Sequence, residues 1–453
     1  MGEHLKSIHS VGEEGEGGVF DDYRHVIFPK DVRNCTACHV DDRWKTQPSQ
    51  LACGTCHDSI WFGDVASMPK GDTAHPGGPQ TNDSGCNTCH QPDTKSVAPS
   101  ITEAHKVEIA YQHKVELAIT APANGKFFVA GEKPKLTITI KDVKTGAAIN
   151  PSTIVEPKVS TNVSANEWRG ARLFVSGPRV QTKPVLTTAA ALPADKKTYT
   201  YAANDLRVRQ VATNEDAAVT RSATAITYQL GDVKDLRAGT YTVFFYAQPA
   251  TGLGGNALIN FQVGTETPDK MVATNCAQCH GDTVMHGTSI AGPFALAPDL
   301  CKSCHDYERQ LPGNVGWTTR NNGFGAAPIA RRVHGVHFGH YTDKPKEIHA
   351  REDYSGVIFP QDVRNCTKCH DAAGSNRWKE EPSRVACLAC HDKDSAIAHG
   401  TLMTQDATPA EPYSGDEIET CRTCHGAGRD FSPDKVHNIS NPYKPPYPRS
   451  PAE

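Results

Sequence analysis

The chain has no apolar run of eighteen residues, so no part of it is expected to cross a membrane as a helix. It is also poor in core-building side chains: aromatics are 7% of its 453 residues, against 37 glycines and 31 prolines. So loop-rich a composition offers little apolar surface to offset conformational entropy, and something other than side-chain packing is expected to fill much of the interior. A basic excess is missing as well. Lys and Arg number 47 against 51 Asp and Glu, a formal net charge of −4, which argues against a nucleic-acid partner. Between His113 and Cys276 there is neither cysteine nor histidine, and nowhere does a cysteine stand alone.

All sixteen cysteines fall in eight Cys-x-x-Cys-His pentapeptides: Cys35/Cys38/His39, Cys53/Cys56/His57, Cys86/Cys89/His90, Cys276/Cys279/His280, Cys301/Cys304/His305, Cys366/Cys369/His370, Cys387/Cys390/His391 and Cys421/Cys424/His425. This is the attachment signature of a c-type haem, in which two thiols add to the porphyrin vinyl groups and the adjacent imidazole is the proximal iron ligand. Two of the pairs also have zinc-ribbon spacing, with fourteen residues between Cys38 and Cys53 and seventeen between Cys369 and Cys387. Neither a zinc ribbon nor a disulfide framework requires a histidine after every second cysteine, and here all eight have one. Eight covalent haems are therefore expected, with no other cofactor indicated. Each is a large apolar plate that a loop-rich chain can wrap. Each ferric bis-imidazole haem with two ionised propionates adds about −1, taking the holoprotein to about −12. Covalent attachment of this kind takes place outside the cytoplasm, so the chain is expected to be exported, to the cell surface, the outer-membrane exterior or the medium rather than the periplasm. It opens MGEHLKSIHS, with no apolar signal core, so the signal is expected upstream or already removed.

One stretch is spelled twice. VIFPKDVRNCTACH (26–39) and VIFPQDVRNCTKCH (357–370) agree at twelve of fourteen positions. The likeness continues: Arg43-Trp44-Lys45 matches Arg377-Trp378-Lys379, Pro48-Ser49 matches Pro382-Ser383, and Ala52-Cys53 matches Ala386-Cys387. The last three motifs thus repeat the first three, and the pair at Cys276 and Cys301 has no N-terminal counterpart. The expected organisation is multidomain, with two haem-cored, loop-rich, short-helix regions flanking an all-β sandwich or Greek-key barrel. The boundaries are 1–108 for a trihaem domain, 109–266 for the haem-free β domain and 267–453 for a pentahaem domain. The β reading rests on KVELAIT (114–120), KLTITIKD (135–142), TYTYAA (198–203), TAITYQL (224–230) and TYTVFFYA (240–247), runs rich in Thr, Val, Ile and Tyr. Asn124-Gly125 and Gly177-Pro178 are turn signals between them. The acidic, glycine-rich 13–18 and the proline-rich NPYKPPYPRSPAE end are expected to be irregular or extended.

Thirteen histidines lie outside the motifs, and a second imidazole on each iron makes a low-spin, electron-transferring haem. The distal candidates are His9, His75 and His105 for the N-terminal cluster and His286, His334, His337, His399 and His437 for the C-terminal one. His9 is matched to His337. His4, His25, His113, His340 and His349 remain as solvated or propionate-contacting residues. No catalytic residue is assigned.

With FPxDVRNCTxCH, the RWK, PS and AC spacing and HGVH on the page, the chain resembles the outer-membrane multihaem cytochromes of metal-reducing bacteria, the OmcA/MtrC-like family. The resemblance implies alternating β and pentahaem domains with bis-histidine haems. It implies electron transfer from an outer-membrane conduit or other cytochromes to metal oxides, soluble metal complexes or electron shuttles, with terminal metal reductase activity left open. This chain departs from the ten-haem plan in having three plus five motifs and one β region, and it has no cysteine pair in that region, so the thiol-linked flavin role of some relatives is not carried over. Two other classes stay open. One is the subunit of a polymeric cytochrome filament, by self-association. The other is a multihaem reductase of the nitrite, hydroxylamine or tetrathionate type, which needs one open iron. A docking face for a partner cytochrome is expected near His4, His9 and the haem at Cys35.

Overall fold

The computed structural model describes residues 31–37, 39, 41–106, 110–158, 163–185, 203–210, 216–280, 298–303, 305, 328–342, 353–357, 359, 362–370, 376–407 and 417–438. The chain divides into two compact units, residues 1–109 with 278–283, and residues 110–277 with 284–453.

In the first unit the elements are short: α1 (Arg43–Thr46), α2 (Gln50–Gly54), β1 (Ile60–Trp61), β2 (Thr73–Ala74), α3 (Cys86–Cys89) and α4 (Ile101–Ala104), with β1 and β2 paired in parallel. Ser49 caps α2 and Ser100 caps α4, each hydroxyl accepting a backbone N–H of the first turn. Not one of the buried hydrophobic side chains among the described residues lies in this unit. A segment with no side-chain core of its own is held by its caps and turns and by whatever the cysteines carry.

The second unit begins with nine strands: β3 (His113–Ile119), β4 (Lys135–Asp142), β5 (Trp168–Gly177), β6 (Lys183–Pro184), β7 (Ala203–Asp205), β8 (Val219–Arg221), β9 (Ile226–Gln229), β10 (Gly239–Pro249) and β11 (Gly255–Val263). They form a four-stranded sheet in the order β3-β4-β9-β8 and a five-stranded sheet in the order β11-β10-β5-β6, with β7 also on β5. Every pairing in the two sheets is antiparallel.

The alternation of KLTITIKD dictates one face: Leu136, Ile138 and Ile140 point inward, while Thr137 and Thr139 face outward. They meet Leu173 and Val175 of β5, Tyr241, Val243 and Phe245 of β10, and Phe261 of β11 in one hydrophobic core shared by both sheets. This is sandwich packing, and the barrel alternative is overturned. The sheets remain separate, each with its own edge strands, so no continuous ladder closes. Gly254 belongs to the β10–β11 turn because a Cβ there would lie 1.7 Å from the Ala247 carbonyl oxygen. Of the expected strand in 198–203, residues 198–202 lie outside the described residues, and Ala203 opens β7.

Strand β10 is buried on both faces. Its second face carries Thr240, Thr242, Phe244 and Tyr246, where Phe244 packs on Phe174 of β5 at 5.7 Å between ring centres. Beyond this face comes the rest of the chain's regular structure: α5 (Cys276–His280), α6 (Pro298–Lys302), α7 (Ile329–His337), α8 (Arg377–Glu380), α9 (Arg384–Cys387), α10 (Asp394–Leu402), β12 (Thr404–Gln405), β13 (Ile418–Glu419), α11 (Arg422–His425) and α12 (Pro433–Val436). α6 packs on β10. In this region the buried hydrophobic side chains among the described residues are only Leu300, Val385 and Ala389. Among the described residues no helix is long and apolar enough to cross a membrane.

Candidate haem centres

The repeated DVRNC stretch folds the same way in both copies. The Arg33 guanidinium donates from Nε to Asp31 at 2.9 Å and from a terminal nitrogen at 2.6 Å, and Arg364 grips Asp362 at 3.0 and 2.6 Å. The clamp holds the Asp31 carboxyl down at about 2, and Arg364 likewise lowers Asp362. Behind it, Cys35–Ala37 and Cys366–Lys368 form one 3-10 turn each. Within seven motifs the histidine N–H donates to the carbonyl of the first cysteine at 2.7 to 2.9 Å, as at His57 to Cys53 and His305 to Cys301. One helical turn thus gathers two sulfurs and an imidazole, as attachment to a single porphyrin edge requires.

The fourth motif is helical throughout, since α5 runs from Cys276 through Cys279 to His280. Cys276 and Cys279 are both half-buried and neither is in a disulfide.

Zinc is not supported by this arrangement. Among the described residues no group of three or more His, Cys, Asp or Glu side chains converges where one metal ion would sit. Burial pushes the Cys387 and Cys390 thiols up to about 11 and about 12.

The histidines come together in pairs. His105 stands beside His57 with ring centres 6.2 Å apart, His75 beside His90 at 6.1 Å, His334 beside His370 at 6.0 Å, His437 beside His391 at 6.0 Å, and His399 beside His425 at 6.3 Å. Metal–imidazole nitrogen bonds of about 2.0–2.1 Å, with about 1.1 Å more from nitrogen to ring centre, put two trans imidazoles about 6.2–6.4 Å apart. The five pairs, at 6.0 to 6.3 Å, lie within about 0.2 Å of that span, one motif histidine and one other in each, so the residues fit a bis-imidazole iron. The ring planes are inclined by 33° to 78°.

The outer nitrogens are also placed for ligation. Nδ1 of His105 lies 2.8 Å from the Ile101 carbonyl, that of His437 3.0 Å from Pro433, that of His75 3.2 Å from Gly78, that of His370 2.8 Å from Val272 and that of His425 3.0 Å from Phe431. A carbonyl partner assigns the proton to Nδ1 and leaves Nε2 free, the outer-shell arrangement of metal-bound histidine. Burial first, then His370 and His337, lowers His334 to about 4, and burial leads the lowering of His370, His90 and His391. Neutral imidazole is the form that binds iron.

The two copies reach this geometry with different carriers. His75 follows β2, a parallel strand pair, whereas His399 sits in the nine-residue helix α10, before an antiparallel pair of β12 and β13. His105 and His437 both close a four-residue helix, α4 and α12. In each copy the histidine between the second and third motifs stands beside the histidine of the third, and the one beyond the third stands beside that of the second.

On α7, His334 rather than His337 stands at His370. His337 is anchored by Nδ1 to the Val333 carbonyl at 2.7 Å and lies edge-on to Phe359. The two are three residues apart on one helix, so spacing alone does not choose between them. His340, expected to be solvated, has the ligand-type anchor too: its Nδ1 is 3.0 Å from the Ser355 carbonyl, and Gly339 permits the approach because a Cβ would meet the Tyr354 oxygen at 2.2 Å. A signal was present in the sequence. His9 precedes Cys35 by 26 residues and His340 precedes Cys366 by 26, so His340 is its register match. His113 packs on Trp168 at 4.9 Å, in the β region. His39 and His305 close the turns of the first and fifth motifs, and His280 ends α5. His4, His9, His25, His286, His349, Cys38 and Cys304 lie outside the described residues, as do 13–18, most of the proline-rich end and the expected docking face at His4 and His9.

Trp378 of α8 lies 6.2 Å from His370, nearly parallel to it at 33°, and Lys379 sits over its ring. Residues 269–438 match the family described as outer membrane cytochrome MtrC/MtrF-like, domains II/IV. No curated protein matches the chain.

Proposed function

We propose, from the match of residues 269–438 to the MtrC/MtrF-like outer-membrane cytochrome family, that the chain is an octahaem c-type cytochrome that relays electrons outside the cell. The family supports extracellular multihaem electron transfer with haem c as the cofactor. The count of eight, the ligand set and the acceptors belong to the proposal.

The observation that carries it is the set of five imidazole pairs at 6.0 to 6.3 Å. When bound, haem supplies one-electron chemistry at iron, with a potential set by its ligands and surroundings. The chain's own residues do the rest. The cysteines would hold each haem on one helical turn, and the carbonyl-anchored histidines would present a second imidazole opposite the motif histidine. A haem held by two imidazoles would leave no place for substrate at its iron and would serve electron relay. This favours a relay over a reductase with an open iron. The donor is an outer-membrane conduit or another cytochrome, and the acceptors are metal oxides, soluble metal complexes, shuttles or a partner cytochrome.

The test is the visible spectrum and carbon monoxide reactivity of the purified holoprotein, followed by rapid mixing of the reduced protein with a soluble ferric chelate. A low-spin spectrum, little carbon monoxide uptake and oxidation of the whole haem pool support the relay. Stoichiometric carbon monoxide binding, with turnover of nitrite, hydroxylamine or tetrathionate, would instead establish the reductase reading.

A further inference from the structure

The most deeply placed charges of the described residues in the second unit lie where β5 ends and α6 begins. Arg179, just past β5, donates from Nε to Oδ1 of Asp299 at 2.8 Å and from a terminal nitrogen to Oδ2 at 2.7 Å, with side chains only 9% and 6% exposed. It also donates to the Asp269 carbonyl, while Asn260 of β11 reaches Asp299 at 3.4 Å. Lys302 donates to the Arg179 carbonyl at 2.6 Å and, among the described residues, makes no ion pair. Two cations thus lie near Asp299 inside the protein, and only Arg179 is paired with it. Asp269 is held by the Thr240 N–H at 3.0 Å, and Arg377 pairs with the half-exposed Glu381 at 3.1 Å.

Stability alone is a weak reason for such a group, since a buried ion pair seldom outperforms well-packed apolar side chains, and a buried lysine without a carboxylate partner is costly. Its location is informative. Asp299 and Lys302 flank Cys301 on α6, and His305 donates to the Cys301 carbonyl at 2.7 Å. Fixed charges in a low-dielectric setting act strongly on a neighbouring redox centre, because reduction adds one electron beside them.

We propose that Arg179, Asp299 and Lys302 set the reduction potential of the haem carried by Cys301, Cys304 and His305, with the β region supplying the decisive cation. This rests on the reading of that motif as a haem site. Both cations favour the reduced state and the carboxylate opposes it. Arg179 and Asp299 are positioning residues, since they act on the centre without touching the transferred electron.

The experiment is a spectroelectrochemical titration of the full holoprotein and of R179M, D299N and K302M, each first checked for its haem count by pyridine haemochrome assay. Charge control requires opposite signs. R179M and K302M should each move one of the one-electron components to lower potential, and D299N should move the same component to higher potential, with the remaining components unmoved. R179K keeps the charge and loses the fork, so it should titrate like the parent, and with D299N it carries the test if R179M does not fold. Shifts of the same sign in D299N and R179M, or no shift in either, would overturn the proposal and leave a purely structural ion pair. A protein without covalent haem would overturn the cytochrome reading itself, which is a distinguishable result.

Discussion

Replacing His437 with alanine should open one iron, and not the one that chain order suggests. His437 follows the third C-terminal motif by twelve residues, yet its ring centre is 6.0 Å from that of His391, in the second. Alanine removes the ring that fills this span and leaves room for a diatomic ligand. With eight motifs in the chain, one haem in eight should lose its sixth ligand, so carbon monoxide should bind the reduced variant at one equivalent per chain and change about one eighth of the Soret absorbance. Haem count and secondary structure should stay as in the parent, and added imidazole should displace the carbon monoxide. Assignment comes from a second change. H437A with Cys387 and Cys390 replaced by alanine should lose the signal, whereas H437A with Cys421 and Cys424 replaced should keep it. The opposite pattern would refute the pairing.

Intact mass after acid-acetone extraction should equal the polypeptide plus eight haems, and a clearly lower count would refute the stoichiometry. Leu136→Ala in β4 should destabilise the second unit by about 2–5 kcal/mol, because Leu136 is fully buried between the sheets. Thr137→Ala, on the opposite face, should cost about 0.5 kcal/mol or less in the same denaturant titration. Lys302, lowered to about 8 by burial, holds fewer protons folded than unfolded between pH 8 and its unfolded value near 10.5. Stability should therefore rise by a few kcal/mol across that window in the parent and stay flatter in K302M; equal slopes would refute the burial argument.

The local chemistry was legible in the sequence because it is written in short spacings. KLTITIKD announces a half-buried strand by alternation, and β4 occupies the same eight residues. WRGARLFVSG did not announce β5. It is buried on both faces, so its apolar residues run together, and Arg169 and Arg172 interrupt them. GNALINFQV, which became β11, is likewise broken by Asn256 and Asn260. A sheet covered on one side by another sheet and on the other by α6 loses the period that sequence reading depends on. The candidate ligands His75, His105, His399 and His437 were nameable by type and count, but their partners were not, since a ligand is chosen by where its helix or turn ends in space. The difference between parallel β1–β2 and helical α10 is equally unwritten in the nearly equal spacings of 29 and 30 residues from His57 to Cys86 and from His391 to Cys421.

The pairing of His57 with His105 and of His75 with His90 makes two clips, one inside the other: residues 75 and 90 close a short loop within the longer loop from 57 to 105. The C-terminal copy does the same, with 399 and 425 inside 391 and 437. Loop closure grows costlier with length, by about 0.6 kcal/mol for each doubling. The inner clip is therefore the easier to fasten, and once fastened it shortens the free chain the outer one must span. Each three-motif segment acquires a built-in order of assembly, from the innermost iron outward. If His105 and His437 are the second ligands, the second motif of each copy, although made earlier, would lack its partner imidazole until residues beyond the third motif have arrived. During that interval it is the place where a stray ligand or an oxidant reaches the metal, so a chain stalled or cut just short of residue 105 or 437 should be reactive at the second motif.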